Sequence, residues 1–191
     1  HMEIVQERLE REFGLSLIVT APSVRYRVLT TAGDVLDIDN PARLPTPDRI
    51  EQIEEPYVHA SILVPTEYMT AVYKLAQEKR GEHRALEYLG KRVHIRFDFP
   101  LSEIVVDFYD RLKSLSKGYA SFDYEFADFR PSDLVKLDIL LNGDPVDALS
   151  VIVHRDKAYE KGKALVEKLR AVIPRQLFEV AIQAAIGSRV I

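Results

Sequence analysis

The sequence contains no cysteine among its 191 residues. This absence excludes disulfide bonds, thiolate nucleophiles and cysteine-based zinc sites, and it is typical of proteins from a reducing compartment. No apolar run approaches the ~18 residues that a membrane-spanning helix requires. The N-terminal stretch HMEIVQERLE already carries charged side chains, so no secretory signal is predicted and an intracellular protein is expected.

The short motifs of nucleotide and metal chemistry are also missing. There is no Gly-x-x-x-x-Gly-Lys-Ser/Thr loop and no Gly-x-Gly-x-x-Gly turn to bind the phosphates of a nucleotide. The five histidines show no metal-ligand spacing. His59 and His94 are predicted on adjacent strands, where a pair of polar-face side chains explains them better than a metal site. We therefore predict no catalytic residue, cofactor-binding residue or metal ligand in this chain.

Charge is distributed unevenly, although the net charge of the whole chain is only −4. A negative overall charge argues against a general nucleic-acid binder, so any contact with RNA must come from a local patch. Residues 31–55 are rich in aspartate and glutamate, whereas residues 151–191 carry an excess of lysine and arginine. The two segments are therefore expected to have different partners.

Hydrophobic periodicity predicts an α+β fold with a ferredoxin-like domain at its centre. Between residues 56 and 130, the predicted elements follow the order β-α-β-β-α-β. This order includes a strand over Tyr57–Val64, a hairpin whose second strand is Arg92–Phe99, and one continuous helix from Leu101 to Leu115. The predicted organisation of the chain has four parts: an α/β element over 1–30, an acidic, proline-rich connector over 31–55, the ferredoxin-like domain over 56–130, and an α+β module over 131–191.

The two ends of the chain have their own predicted elements. A helix over Met2–Phe13 begins without an N-cap, so we expect a fragment of a longer protein. The C-terminal module is predicted to open with a hairpin that turns at Asn142-Gly143. A basic helix is predicted from about Asp156 to Val172, and a second, apolar helix from Gln176 to Ile186.

The stretch KGYASFDYEF, residues 117–126, partly matches the strand signature of RNA-recognition motifs. In those motifs the signature lies on the third, central strand, whereas here it lies on the fourth strand and places Ser121 at the central stacking position. Phe122, Tyr124 and Phe126 share one face of the strand. We therefore predict that these rings pack mostly in the core instead of stacking on RNA.

Basic loops and a basic helix are the best candidates for contact with phosphates. Two of the loops close the predicted helices of the ferredoxin-like domain, and both helices end at the same end of the sheet. Helix capping and a solvated helix face are sufficient alternative explanations. The candidate RNA-binding residues are Lys79, Arg80, Gly81, Lys117, Gly118, His154, Arg155, Lys157, Lys161, Lys163 and Arg175.

Long stretches of the sequence resemble the elongation factor 4 (LepA) family of translational GTPases. They include EEPYVHASILVPTEYMTAVYKLAQEKRG, LSKGYASFDYEFADFRPSDLVKLDILLNGDPVDALS and IPRQLFEVAIQAAIGSRVI, together with the shorter HMEIVQERLEREF and TAPSVRYRV. The resemblance covers essentially the whole chain. It implies that residues 1–30 correspond to the end of domain III, 56–130 to domain V, which is shared with elongation factor G, and 131–191 to the front of the C-terminal domain.

The resemblance implies a function of which this chain carries only a part. Intact family members resemble ribosome-dependent GTPases that remodel or back-translocate tRNAs, so the implied partners are the ribosome and tRNA. The phosphate loop, switch regions and guanine-reading motif are missing, so GTP and Mg²⁺ are implied only for a missing N-terminal domain. A cytoplasmic monomer is expected, and association with the inner face of the cell membrane would be peripheral.

The alternative is a ferredoxin-like regulatory module that binds a small ligand or associates with itself through sheet edges. Val64-Pro65-Thr66 provides no glycine-rich loop after the first strand of the domain. Asp123 and Glu125 place charges on the fourth strand, which disfavours self-association through that edge.

Overall fold

The computed structural model describes residues 24–172 and 180–191, which fall into two compact units. The first unit comprises residues 24–39 and 45–132, and the second comprises residues 40–44, 133–172 and 180–191. The helix predicted over Met2–Phe13 and the candidate residue Arg175 lie outside the described residues.

The first unit contains a six-stranded antiparallel sheet. Its strands are Tyr26–Thr30 (β1), Val35–Ile38 (β2), Ile50–Pro65 (β3), Glu82–Leu89 (β4), Arg92–Pro100 (β5) and Ser121–Pro131 (β6). Its helices are Met69–Glu78 (α1), Leu101–Ile104 (α2) and Phe108–Leu115 (α3). Strands β6, β3, β5 and β4 lie side by side in that order, and β1 and β2 extend the sheet from the first part of β3. The predicted ferredoxin-like βαββαβ arrangement is confirmed.

The core of the first unit lies between the helices and alternate residues of β3 and β5. Every second residue of β5, from Val93 to Phe99, is buried, which confirms the predicted alternation. These side chains pack against Val72, Leu75 and Leu112 of the helices. The helices therefore cover one face of the central strands.

The helix predicted over Leu101–Leu115 is divided in two. The break lies between α2 and α3, where Asp107 has a non-helical backbone and begins α3 as its N-cap residue. Val105, Val106 and Asp107 are poor helix formers, because the valines are β-branched and aspartate competes for backbone hydrogen bonds. The predicted hydrophobic periodicity is present, but it runs across a non-helical turn between two short helices and does not mark one continuous helix.

The segment 31–55, predicted as a connector, contains regular structure. It includes β2, which follows a turn at Gly33 (φ 90°), and the first residues of β3. The strand predicted over Tyr57–Val64 is therefore the second part of a longer strand. The first part of this strand could not be recognised from its apolar content, because one of its buried residues is the charged Glu55.

The core prediction for the rings of residues 117–126 is wrong for two of them. Phe122 packs against the core beside Phe108, with ring centroids 4.9 Å apart. Tyr124 and Phe126 are 46% and 60% exposed. They lie on the same face as Phe122, but β6 is at the edge of the sheet, and sequence alternation cannot show how far the helices reach over that edge.

The second unit contains a five-stranded antiparallel sheet with one helix packed on it. Its elements are Leu134–Leu141 (β7), Asp144–Pro145 (β8), Val151–His154 (β9), Ala158–Val172 (α4), Ile182–Ile186 (β10) and Arg189–Val190 (β11). Strand β7 pairs with β10 and also with β8 and β9. Asn142 and Gly143 have φ values of 51° and 84°, which confirms the predicted tight hairpin. The predicted basic helix is confirmed as α4.

The helix predicted over Gln176–Ile186 is wrong where the structure describes it. Ile182–Ile186 forms β10, whose residues pair with Leu137–Leu141 of β7. An apolar, alanine-rich segment has high helix propensity, but strand pairing overrides that propensity here. Helix α4 packs closely on this strand at Gly162. A Cβ at this position would lie 2.9 Å from the Cβ of Ala184, which is too close for any residue with a side chain. No helix among the described residues is both long and apolar enough to cross a bilayer.

Candidate functional site

The two candidate loops of the first unit share one helix-capping geometry. The N–H of Gly81 donates to the carbonyl oxygen of Ala76 at 2.8 Å, and the N–H of Gly118 donates to that of Lys113 at 2.7 Å. The residue before each glycine is left-handed, with φ of 55° at Arg80 and 53° at Lys117. These are Schellman caps in which a basic residue occupies the position that glycine usually takes.

Arg80 points into the protein and binds two buried carboxylates. Its Nη1 and Nη2 donate to the two oxygens of Glu55, both at 2.9 Å, and its Nε donates to Glu103 Oε1 at 3.1 Å. Glu55 and Glu103 are 0% and 4% exposed. Burial lowers the pKa of Arg80, but the hydrogen bonds and charge of Glu55 outweigh it and hold that pKa above its ordinary value.

Tyr26 of β1 extends this buried cluster. Burial raises the pKa of its phenol well above the ordinary value, and the charge of Glu55 raises it further. The phenol is also hydrogen-bonded to Ser102 of α2. We call Tyr26, Glu55, Arg80 and Glu103 the Glu55 cluster. It joins β1, β3, α2 and the end of α1, so Arg80 has a structural role and its contact with RNA stays a prediction.

Lys79 is also paired within the first unit. Its Nζ lies 2.7 Å from Asp107 Oδ1, and its side chain is 15% exposed. Burial raises the pKa of Asp107, but the hydrogen bond from Lys79 outweighs this effect and lowers the pKa overall. The pair links the end of α1 to the start of α3.

Lys117 faces outward and belongs to a group of cationic and aromatic side chains that are exposed except for half-buried Lys113. Its side chain forms no hydrogen bond or ion pair with the described residues. Lys113 Nζ lies 5.7 Å from the ring centroid of Tyr109 and 3.3 Å from the carbonyl oxygen of Gly118. Tyr109 and Tyr119 are 52% and 65% exposed. We call Tyr109, Lys113, Lys117 and Tyr119 the α3 patch. Sequence reasoning found only Lys117. For Tyr109 and Lys113, the available signal was their spacing of four residues on a predicted helix.

The basic run of the second unit is spread around α4 rather than gathered on one surface. His154 accepts a hydrogen bond from the N–H of Asp156, and Arg155 Nε lies 3.0 Å from Asp133 Oδ2. Lys157 immediately precedes α4 and lies on the same flank as Lys161 of the helix, and both have further interaction partners.

The other flank of α4 combines cations with an exposed ring. It carries Lys163 and Arg170 beside Tyr159, which is 63% exposed. Sequence reasoning identified Lys163 but not Tyr159 or Arg170. This flank therefore resembles the α3 patch in its chemistry.

A buried aspartate on the sheet was not found by sequence reasoning. Asp98 is 1% exposed and is hydrogen-bonded to His59 Nδ1, Arg84 Nε and Arg130 Nη2 at 2.7, 2.7 and 2.8 Å. Burial raises the pKa of Asp98, but these three hydrogen bonds outweigh it and lower the pKa overall. His59 and His94 lie on adjacent strands as predicted, but the strand register pairs His59 with Asp98 and His94 with Leu63, so the two histidines do not face each other.

A groove of about 720 Å³ lies over this aspartate. Its lining mixes basic side chains, including Arg96, with the acidic side chains Asp123 and Glu125. A surface of both signs does not favour an anionic ligand. Among the described residues, no group of three or more histidines and carboxylates has the geometry of a metal site.

Comparison with known proteins assigns both parts of the chain. Residues 52–140 match the family model described as elongation factor G C-terminus, and residues 141–191 match the model described as GTP-binding protein LepA C-terminus. Elongation factor 4 from Chlorobium phaeobacteroides, Chlorobium limicola and Streptococcus thermophilus is in each case 59% identical over 192 aligned residues, which cover 100% of this chain. The chain spans only 32% of the length of these relatives. It carries two consecutive domains of a translation elongation factor and is similar over its whole length to elongation factor 4 (LepA).

Proposed function

We propose that this chain is the ribosome- and tRNA-docking part of an elongation factor 4-type GTPase. The matches to the two family models and to elongation factor 4 support a role in translation. The intact factor would act as a ribosome-dependent GTPase that remodels or back-translocates tRNAs. GTP and Mg²⁺ would bind to a part of the factor that this chain does not contain. The factor would act as a monomer in the cytoplasm, and any association with the inner face of the cell membrane would be peripheral.

The observation that carries the proposal is the α3 patch. Its two lysines supply positive charge for phosphates, and its two exposed tyrosine rings supply surfaces on which unpaired bases stack. The flank of α4 with Tyr159, Lys163 and Arg170 offers the same combination in the second unit. Lys79 and Arg80 are poorer candidates, because their donors are directed at carboxylates.

Co-sedimentation with ribosomes across a salt series tests this proposal. The informative variant is Lys113→Gln with Lys117→Gly, since Lys117 is exposed, Lys113 is only half-buried, and glycine suits the left-handed backbone at position 117. If each lysine contacts one phosphate, the salt slope of binding should fall by about 1.4–1.8 for the two.

The matched control carries the same change in charge at exposed lysines elsewhere in the first unit. Lys74→Gln with Lys91→Gln should leave the slope unchanged. Equal weakening by both double variants would show that only net charge matters and would contradict docking through the α3 patch. Failure of the unmodified chain to pellet at low salt would reject the docking function.

A further inference from the structure

Strand β6 has a free outer edge. In the described part of the chain it pairs only with β3, in regular register from Ser121 to Phe126. The register then shifts, since Phe126 pairs with Val58 and Asp128 pairs with Tyr57, which leaves Ala127 as a bulge. Over 121–126 the outward N–H and C=O groups are therefore in position to receive another strand.

The two faces of this edge have different chemistry. On one face, the exposed rings of Tyr124 and Phe126 continue a row that begins at half-buried Phe122, and the Phe122 and Tyr124 centroids are 5.5 Å apart. On the other face, Asp123 and Glu125 are exposed and acidic. Exposed rings beside an unpaired strand edge mark an interaction site more often than an ordinary surface.

We propose that the edge of β6 over residues 121–126 binds an extended, lysine- or arginine-rich segment of a partner protein, which adds to the sheet as a further strand. Backbone hydrogen bonds would hold the segment. Its alternate side chains would be apolar beside Tyr124 and Phe126 and basic beside Asp123 and Glu125. This inference goes beyond the proposed function, because it concerns a protein partner and a surface other than the α3 patch.

Charge selects this partner over the two obvious alternatives. An RNA strand would bring phosphates against the carboxylates of Asp123 and Glu125, which repels it. A second copy of this chain, pairing through the same edge, would place these two acids against their own counterparts, and like charges across a strand pair are destabilising. A basic extended segment can form hydrogen bonds with the outward backbone groups of β6 and ion pairs with its acidic face.

The test is titration of the full 191-residue chain with a fluorescent seven-residue peptide of alternating lysine and valine, followed by fluorescence anisotropy and amide hydrogen exchange. We expect saturable binding and slowed exchange of amides in 121–126. Asp123→Lys with Glu125→Lys should weaken binding about tenfold, since two cross-strand charge pairs become repulsive. Phe126→Thr should also weaken binding and leaves the charge unchanged.

Three controls separate strand addition from simple attraction of charges. Asp34→Lys with Asp39→Lys makes the same charge change at exposed sites of the first unit and should retain the affinity. A peptide with proline at its centre and a peptide of alternating glutamate and valine should not bind.

Several results would overturn the inference: no binding of the lysine peptide, binding without protection of β6 amides, or equal loss of affinity in the control variant. Protection of the same amides by an RNA oligonucleotide would overturn it in favour of an RNA surface. Pelleting with ribosomes is scored separately, so failure of the peptide to bind leaves the proposed docking function intact.

Discussion

Replacement of Arg80 by methionine is expected to destabilise the first unit by about 3 kcal/mol, because removal of one partner of a buried ion pair typically costs about 3–5 kcal/mol. The guanidinium donates three hydrogen bonds of 2.9, 2.9 and 3.1 Å to Glu55 and Glu103. Methionine fills much of the same space but leaves both buried carboxylates without this cation. The lower end of the range applies, because the arginine side chain is 18% exposed and water can reach the site.

Native-state hydrogen exchange is the suitable assay, because the two units of the chain need not unfold together. The slowest amides of β1 and β3 should exchange about a hundredfold faster in Arg80→Met, which corresponds to about 3 kcal/mol. Amides of β7 in the second unit provide an internal control. Adding Glu55→Gln to Arg80→Met should recover part of the loss, since it removes one buried charge.

Lys79→Met is the matched control for this prediction. It makes the same charge change at the neighbouring position, but its partner Asp107 has a side chain that is 48% exposed. A partly exposed pair of this kind contributes about 1 kcal/mol or less. A loss below 1 kcal/mol in Arg80→Met, or an equal loss in the two variants, would refute the structural role of the Glu55 cluster.

Three further predictions follow from the caps and from Asp98. Lys117→Gly should stabilise the first unit by about 0.5–1 kcal/mol in urea unfolding, because glycine relieves a left-handed backbone; a loss of stability would contradict the capping geometry. Gly81→Ala should destabilise it by about 1–3 kcal/mol in the same assay, because the new Cβ would lie 2.4 Å from Phe99 Cε1; an unchanged midpoint would show that the ring moves freely. Asp98→Asn should destabilise the unit at pH 7. The folded pKa of Asp98 is lowered, so its contribution to stability is present above the unfolded pKa of about 3.9 and is lost as pH falls through the folded pKa. Urea unfolding should therefore show the two proteins converging below about pH 4, and a constant difference down to pH 2 would exclude this linkage.

The elements that sequence analysis predicted correctly are those set by local patterns. Alternation from Val93 to Phe99 matches a strand that is buried on one face, and Asn142-Gly143 supplies the positive φ values that a tight hairpin needs. The order of such elements was enough for the ferredoxin-like fold, because short connections leave few topologies.

The errors concern contacts between residues that are distant in sequence. Ile182–Ile186 is a strand because β7 pairs with it, and nothing within the segment itself specifies that pairing. Tyr124 and Phe126 lie on the predicted face, but their exposure depends on where the helices end above the sheet edge. The first part of β3 was not predicted within residues 31–55, because a buried Glu55 looks like a solvated residue until its partner is known.

Arg80 and Lys117 show why sequence could not separate structural from functional cations. Each follows a helix, precedes a glycine and adopts the same left-handed cap, so their local signals are equivalent. Arg80 turns inward only because Glu55, 25 residues earlier, presents a buried carboxylate within reach. Lys117 has no such partner among the described residues and stays in solvent.

This difference decides which variants can test ribosome docking. An alanine at Arg80 would weaken binding through loss of structure even if no phosphate ever touched the side chain. Glycine at Lys117 removes a charge while it relieves the backbone, so a loss of binding in that variant cannot be attributed to unfolding. A residue should therefore be assigned to the interface only when its substitution lowers ribosome affinity without lowering the free energy of unfolding.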